Sequence, residues 1–168
     1  MNNQLTVKSL RLYSFLPFLA TVLMIAYAYY TQYVDYLDPC PLCLIQRFFI
    51  IAIGFLYFLT FIYPPRKIFR AVFTVLITLI SIFGVSVSAR HVWLQNLPAD
   101  EVPACGPGLS FMFENFPIGS VIKDLFTGSG ECAEITWRFL GLSMPMWTLI
   151  CFIGFIIYTI LWSRLRQE

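Results

Sequence analysis

Four long apolar runs dominate the chain, at about residues 12–33, 44–63, 69–89 and 145–162. Each approaches the ~20 residues that a helix needs to cross a bilayer. Between the third and fourth runs lies a polar stretch rich in Gly and Pro, from about Gln95 to Ser143, which carries most of the acidic residues. The pattern predicts an all-α integral membrane protein, a bundle of four transmembrane helices forming one membrane domain over residues 1–168. Its loops on one face fall at about residues 34–43 and 90–144. Within the long loop, Ile118, Val121, Ile122, Leu125 and Phe126 recur at helical spacing behind Pro117, a residue suited to a first turn. That segment is too short to span, and it predicts a short helix lying on the membrane surface. On the third run, Ser81, Gly84 and Ser88 share one face, and small residues there let helices approach closely.

Composition supports the membrane assignment: 59% of residues are hydrophobic and 12% charged, too apolar for a soluble domain. A formal net charge of +2 gives no basis for nucleic-acid binding. The positions of the basic residues say more than their sum. Lys8 and Arg11, then Arg66, Lys67 and Arg70, then Arg164 and Arg166 all flank the same side of the bundle. Basic flanks are retained in the cytoplasm, so both termini are expected there, with the cysteine-bearing loops facing an oxidising periplasm in a bacterial inner membrane. A secretory signal peptide ending near Ala26-Tyr27-Ala28 is the alternative for the first run, but the apolar stretch continues through Tyr29 and Tyr30.

Five cysteines are present, four of them in the two outer loops. Cys151 lies inside the fourth run and reads as a small hydrophobe. Cys40 and Cys43 sit where the first outer loop enters the second run, in "DPCPLCLIQRFF". Unpaired amides and the positive dipole end of a helix stabilise a sulfur anion, which makes Cys43 the better-placed thiolate. Arg47 follows one turn later on the same face, and a charge at that depth marks a functional candidate. Arg90 and His91 end the third run at a comparable depth, so a ligand that accepts hydrogen bonds becomes plausible between the two helices.

Zinc is the competing chemistry for cysteines beside a histidine. Only Cys40 and Cys43 have ligand spacing, while Cys105 and Cys132 are each isolated, so no metal is expected. Glycines flank both loop cysteines, in "ACGPG" and "SGSGECAE". Flexible flanks favour an exchangeable disulfide over a rigid staple.

These residues resemble the DsbB family of bacterial inner-membrane proteins, which reoxidise the periplasmic thiol oxidase DsbA with quinone. The resemblance runs over nearly the whole chain and rests on the Cys-x-x-Cys with Arg47, on "RHVWLQ", and above all on "SGECAEITWRFLGLSMPMW". It implies redox pairs Cys40–Cys43 and Cys105–Cys132, a catalytic Arg47 near the quinone, and His91 and Met144 beside the quinone. It implies a DsbA-like partner, a ubiquinone or menaquinone cofactor, and protein-disulfide:quinone oxidoreductase activity. In the implied relay the partner attacks at Cys105, Cys132 then attacks Cys40, and Cys43 is left facing the acceptor. Two departures are Pro41 within the first pair and Gln46, where the best-studied relatives carry an acidic residue. The rival readings are a membrane scaffold with structural loop disulfides and a conduit carrying reducing equivalents outward.

Overall fold

The computed structural model describes residues 2–63, 67–98, 101–102, 119 and 130–164. Four helices carry the fold: α1 (Asn2–Tyr33), α2 (Pro41–Ile62), α3 (Lys67–Leu94) and α4 (Met144–Arg164). Each contains a stretch long and apolar enough to cross a membrane: Arg11–Tyr33, Pro41–Ile62, Ile68–Leu94 and Met144–Ser163. The protein is therefore an all-α multi-pass membrane protein. Apart from Gly119, the surface helix expected at Pro117–Phe126 lies outside the described residues, as does the loop cysteine Cys105.

The packing follows the order α1 against α2, α2 against α3 and α3 against α4. Close approach is set by small residues. A Cβ on Gly84 would meet a Phe152 ring carbon at 2.5 Å, and Ser81 and Ser88 on the same face are fully buried. One core cluster gathers Ile50, Ile53, Tyr57, Ile77, Phe152 and Phe155 from α2, α3 and α4. A second cluster, built on Leu42, Val87, Leu94 and Cys132, closes the end of the bundle that holds the cysteines. In lipid no hydrophobic force drives helices together, so they rely on this close packing and on interhelical hydrogen bonds.

Two boundaries differ from the sequence expectation in ways that matter. Helix α2 begins at Pro41, with Cys40 as its N-cap in extended backbone (φ −65°, ψ 163°). Proline restrains the residue before it to that region and tolerates the first helical position, where its missing N–H has no partner to lose. Cys43 thus stands in the first turn of the helix. Helix α3 runs on to Leu94, so Arg90 and His91 are helical.

A small hairpin was not anticipated. Arg138–Phe139 pairs antiparallel with Leu142–Ser143 immediately before α4. Its two-residue loop, Leu140 (φ 51°) and Gly141 (φ 80°), has positive φ at both positions, the pattern of a type I′ turn that matches strand twist. Leucine is an uncommon occupant of that region. The hairpin carries Phe139 to Trp147, whose indole nitrogen donates to the Phe139 carbonyl at 3.1 Å.

Candidate functional site

The start of α2 aims Cys40, Gln46 and Arg47 at different neighbours. Cys40, at the cap, has its Sγ 2.9 Å from Cys43 Sγ and donates toward it. On its other side Cys40 Sγ lies 3.7 Å from His91 Nε2 of α3. Cys132, on a 3-10 turn spanning Gly130–Cys132, joins them. One ligand-type atom from each of Cys40, His91 and Cys132 lies within 4.8 Å of the others. Cys40 is thus the meeting point of the two loops. Its thiol is drawn down by a hydrogen bond with Cys132, but hydrogen bonding to Cys43 and burial outweigh that and hold it above the ordinary thiol range.

Gln46 and Arg47 turn toward different neighbours. Arg47 donates to Gln32 Oε1 at 2.5 Å and to the Ala28 carbonyl at 2.9 Å, both on α1. The Tyr29 ring lies under its guanidinium, 5.5 Å from centroid to Cζ. Gln46 is buried between helices: Thr148 of α4 donates to its Oε1 at 2.8 Å, and its Nε2 lies 3.2 Å from His91 Nδ1. With Oε1 taking the Thr148 proton, the amide faces Nδ1, which accepts. The imidazole proton then sits on Nε2, the nitrogen facing Cys40 Sγ.

Two hollows meet at this place. One, of about 220 Å³, is almost wholly apolar and is lined by Met24, Tyr27, Ile50, Phe139, Trp147 and Cys151, with Gln46 and Thr148 as its polar points. The other is a small polar cleft that includes Asp38, Cys40, His91, Gln95, Glu131 and Glu134. Cys43, Arg47, Trp137 and Met144 line both. They form the partition between a polar cleft bearing thiols and an apolar cavity among the helices.

The sequence-derived candidates separate on this map. Cys40, Cys43, Cys132, Arg47, His91 and Met144 all gather at one end of the bundle. Met144 lines the cavity, but His91 is absent from its lining and packs instead against Cys40 and Gln46. Arg90 lies apart, its guanidinium 5.3 Å from the Trp93 ring centroid. Sequence reasoning missed Gln46 as a bridge, and it missed Cys151 as a cavity residue. It also passed over Trp137 and Trp147 individually, although both stand in the block that carried the family resemblance.

A helical membrane bundle with three thiols converging at one end, beside an apolar cavity, defines a membrane thiol-redox protein. Comparison with known proteins gives the family. A profile for "Disulfide bond formation protein DsbB" matches residues 10–162. Proteins named disulfide bond formation protein B are similar in Methylococcus capsulatus, 43% identical over 164 residues covering 96% of this chain and 100% of that one. The same holds in Saccharophagus degradans, 48% identical over 150 residues and 89% and 90% of the two chains. In Nitrosococcus oceani the identity is 46% over 145 residues, 86% of each. The chain belongs to the DsbB family of disulfide bond formation proteins.

Proposed function

We propose that this protein reoxidises a DsbA-like periplasmic thiol oxidase and passes the two electrons to a membrane quinone. It does so as a multi-pass protein of a bacterial inner membrane, with both termini cytoplasmic and the redox cysteines periplasmic. The observation that carries the reading is the shared wall: Cys43 and Arg47 border both the polar cleft and the apolar cavity. Thiol exchange with a water-soluble partner needs the first, and a lipid-soluble acceptor needs the second.

The residues fit a quinone. The cavity offers aromatic and aliphatic walls for a flat apolar ring, while Arg47 and Gln46 supply N–H groups for its oxygens. What a bound quinone supplies is acceptance of two electrons and two protons. The protein's own part is to deliver sulfur and hold charge. Cys132 reaches Cys40, so the partner's electrons enter the first pair at Cys40 and release Cys43. Arg47, fixed by Gln32 and the Ala28 carbonyl, holds a positive charge beside the released thiolate. Because those anchors are on α1, the guanidinium is positioned before any charge develops and needs little reorganisation.

Energetics favour this acceptor. A DsbA-type oxidant has a potential near about −120 mV, so glutathione-like acceptors would run uphill. Neither a scaffold with structural disulfides nor an outward reductant conduit accounts for a charged arginine between a thiol and a hydrophobic cavity. The test uses purified protein in detergent with reduced DsbA-like oxidase as substrate. Oxidation should proceed only when quinone is supplied, and equal rates with and without it would sink the proposal.

A further inference from the structure

The polar cleft contains a ligand set that chain order conceals. Cys40 comes from the cap of α2, His91 from the last turn of α3 and Cys132 from the 3-10 turn before the hairpin. Their ligand atoms lie within 4.8 Å of one another, and His91 and Cys132 are 2% and 0% exposed. A tetrahedral zinc ion, with bonds of ~2.3 Å to sulfur and ~2.0 Å to nitrogen, spaces its ligand atoms roughly 3.5–3.8 Å apart. The Cys40 Sγ to His91 Nε2 distance is already 3.7 Å. Along the chain Cys132 is isolated, and the fold removes that isolation.

We propose that Cys40, His91 and Cys132, when their sulfurs are reduced, form a binding site for a thiophilic divalent cation, zinc being the ion that fits. Binding displaces two thiol protons to solvent and changes no oxidation state. Two thiolates and an imidazole suit a closed-shell, borderline-soft ion, and they leave a fourth position for water. Hard cations that prefer oxygen ligands are poorly matched to this set.

The neighbours of His91 provide for its role as a ligand. A metal-bound histidine offers one nitrogen to the ion and donates its other N–H to an acceptor. In the metal-free arrangement Gln46 Nε2 faces His91 Nδ1. A half-turn of the amide places Oε1 there to accept from Nδ1–H and turns Nε2 toward Thr148. The Thr148 hydroxyl can then accept from Gln46 and donate to the Pro145 carbonyl, 2.9 Å away. Gln46 and Thr148 stay satisfied in both arrangements, while the hydrogen bond between His91 and the Cys132 backbone gives way to the bond to the ion.

Occupancy has a direct consequence: the two sulfurs that must exchange are held as ligands, and the thiols are shielded until oxidation expels the ion. Binding of the ion to the reduced cysteines is independent of where the electrons go. It is tested with the full chain in detergent, reduced with a phosphine, freed of reductant under argon and titrated with zinc against a chromophoric chelator. About one ion per chain is expected in the reduced protein. None should be retained once the cysteines are oxidised to disulfides. Cys132→Ser and His91→Ala should each lose affinity by ten-fold or more, while Cys105→Ser and Cys151→Ser keep it.

Gln46→Glu provides a test that loss of fold cannot imitate. A carboxylate partner for Nδ1–H should tighten zinc by about 10-fold. The chain has one histidine, so histidine-selective 15N labelling reports His91 alone. Zinc should move its proton from Nε2 to Nδ1. Failure of the reduced protein to bind zinc, unchanged affinity in Cys132→Ser and His91→Ala, loss of the site in Cys105→Ser, or a histidine signal indifferent to zinc would each overturn the proposal. Quinone dependence of partner oxidation is measured separately, so the two readings fail independently.

Discussion

Helices α2 and α4 exchange a side-chain hydrogen bond at two heights, and the two bonds are of different kinds. In the core, Tyr57 and Thr159 meet at 2.7 Å, and Thr159 also donates to the Phe155 carbonyl of its own helix at 2.6 Å. Both side chains are fully buried among Ile53, Phe152 and Phe155, and the pair ends there. Near the cysteines, Gln46 and Thr148 meet at 2.8 Å, but the amide passes the connection on to His91 and thence to Cys40. The core bond has one satisfied arrangement. The outer one has two, because an amide carries a donor and an acceptor that a half-turn interchanges. A membrane helix bundle can thus place nearly identical interhelical bonds along one pair of helices, one as a fastener and the other as a movable part of a site.

The widest gap between the regions should appear when Arg47 is replaced. Arg47→Gln keeps a polar group on the partition but removes the charge beside Cys43, and it should slow quinone-coupled turnover by about 10²-fold. The helical circular dichroism should remain that of the parent. Unchanged turnover together with unchanged apparent quinone affinity would take Arg47 out of the site.

A second prediction concerns the Cys40 thiol. Hydrogen bonding to Cys43 and burial outweigh the opposing bond with Cys132, so the protonated form persists beyond the usual thiol range. In the reduced protein, alkylation at Cys40, followed by peptide mass mapping, should keep rising with pH well past ~8.5, where an ordinary thiol is half ionised. A rate that levels off below that pH would mean that burial and Cys43 do not dominate.

In the core, Tyr57→Phe removes one partner but leaves Thr159 bonded to the Phe155 carbonyl. The cost should be about 1 kcal/mol in detergent unfolding, with turnover untouched. A drop in turnover at unchanged stability would erase the distinction between fastener and site.

Much of this contrast was open to sequence reasoning, and the part that was not has a physical reason. Hydrophobic run length locates the four helices, and the Cys43 to Arg47 spacing puts both on one face of α2, where both come to line the cavity. Periodicity identifies a face but not what it meets. It therefore could not tell that His91 turns to Cys40 and away from the cavity, or that Arg47 is anchored on α1 by Gln32 and Ala28. Cys151 looks inert because its sequence neighbours are apolar, yet an apolar neighbourhood is also what lines a cavity for a lipid-soluble molecule. Gln46 was visible as a departure from an acidic position. Its function as a bridge depends on a threonine on another helix, which no local pattern links to it. The hairpin was hidden for a different reason: Leu140 takes a backbone conformation that its side chain disfavours, so residue type gave no turn signal there.

The smallest expected effect discriminates best. Thr148→Val keeps the shape of the side chain and removes the hydroxyl whose proton biases the Gln46 amide in the metal-free protein. Stability should fall by no more than about 1 kcal/mol, comparable to Tyr57→Phe. The two substitutions should part company at the imidazole. In the metal-free protein the proton that Thr148 donates to Oε1 biases Gln46 Nε2 toward Nδ1, and the His91 proton stays on Nε2, facing Cys40. Without it, Oε1 and Nε2 compete for that position and both tautomers become populated. The 15N signals of the single histidine should report a mixture in Thr148→Val and one tautomer in both the parent and Tyr57→Phe. Turnover should fall severalfold in Thr148→Val alone, because a share of the molecules then present an unprotonated nitrogen to Cys40. One unaltered tautomer in Thr148→Val would show that Gln46 is held by something other than the α4 hydroxyl, and the outer bond would then be as much a fastener as the inner one.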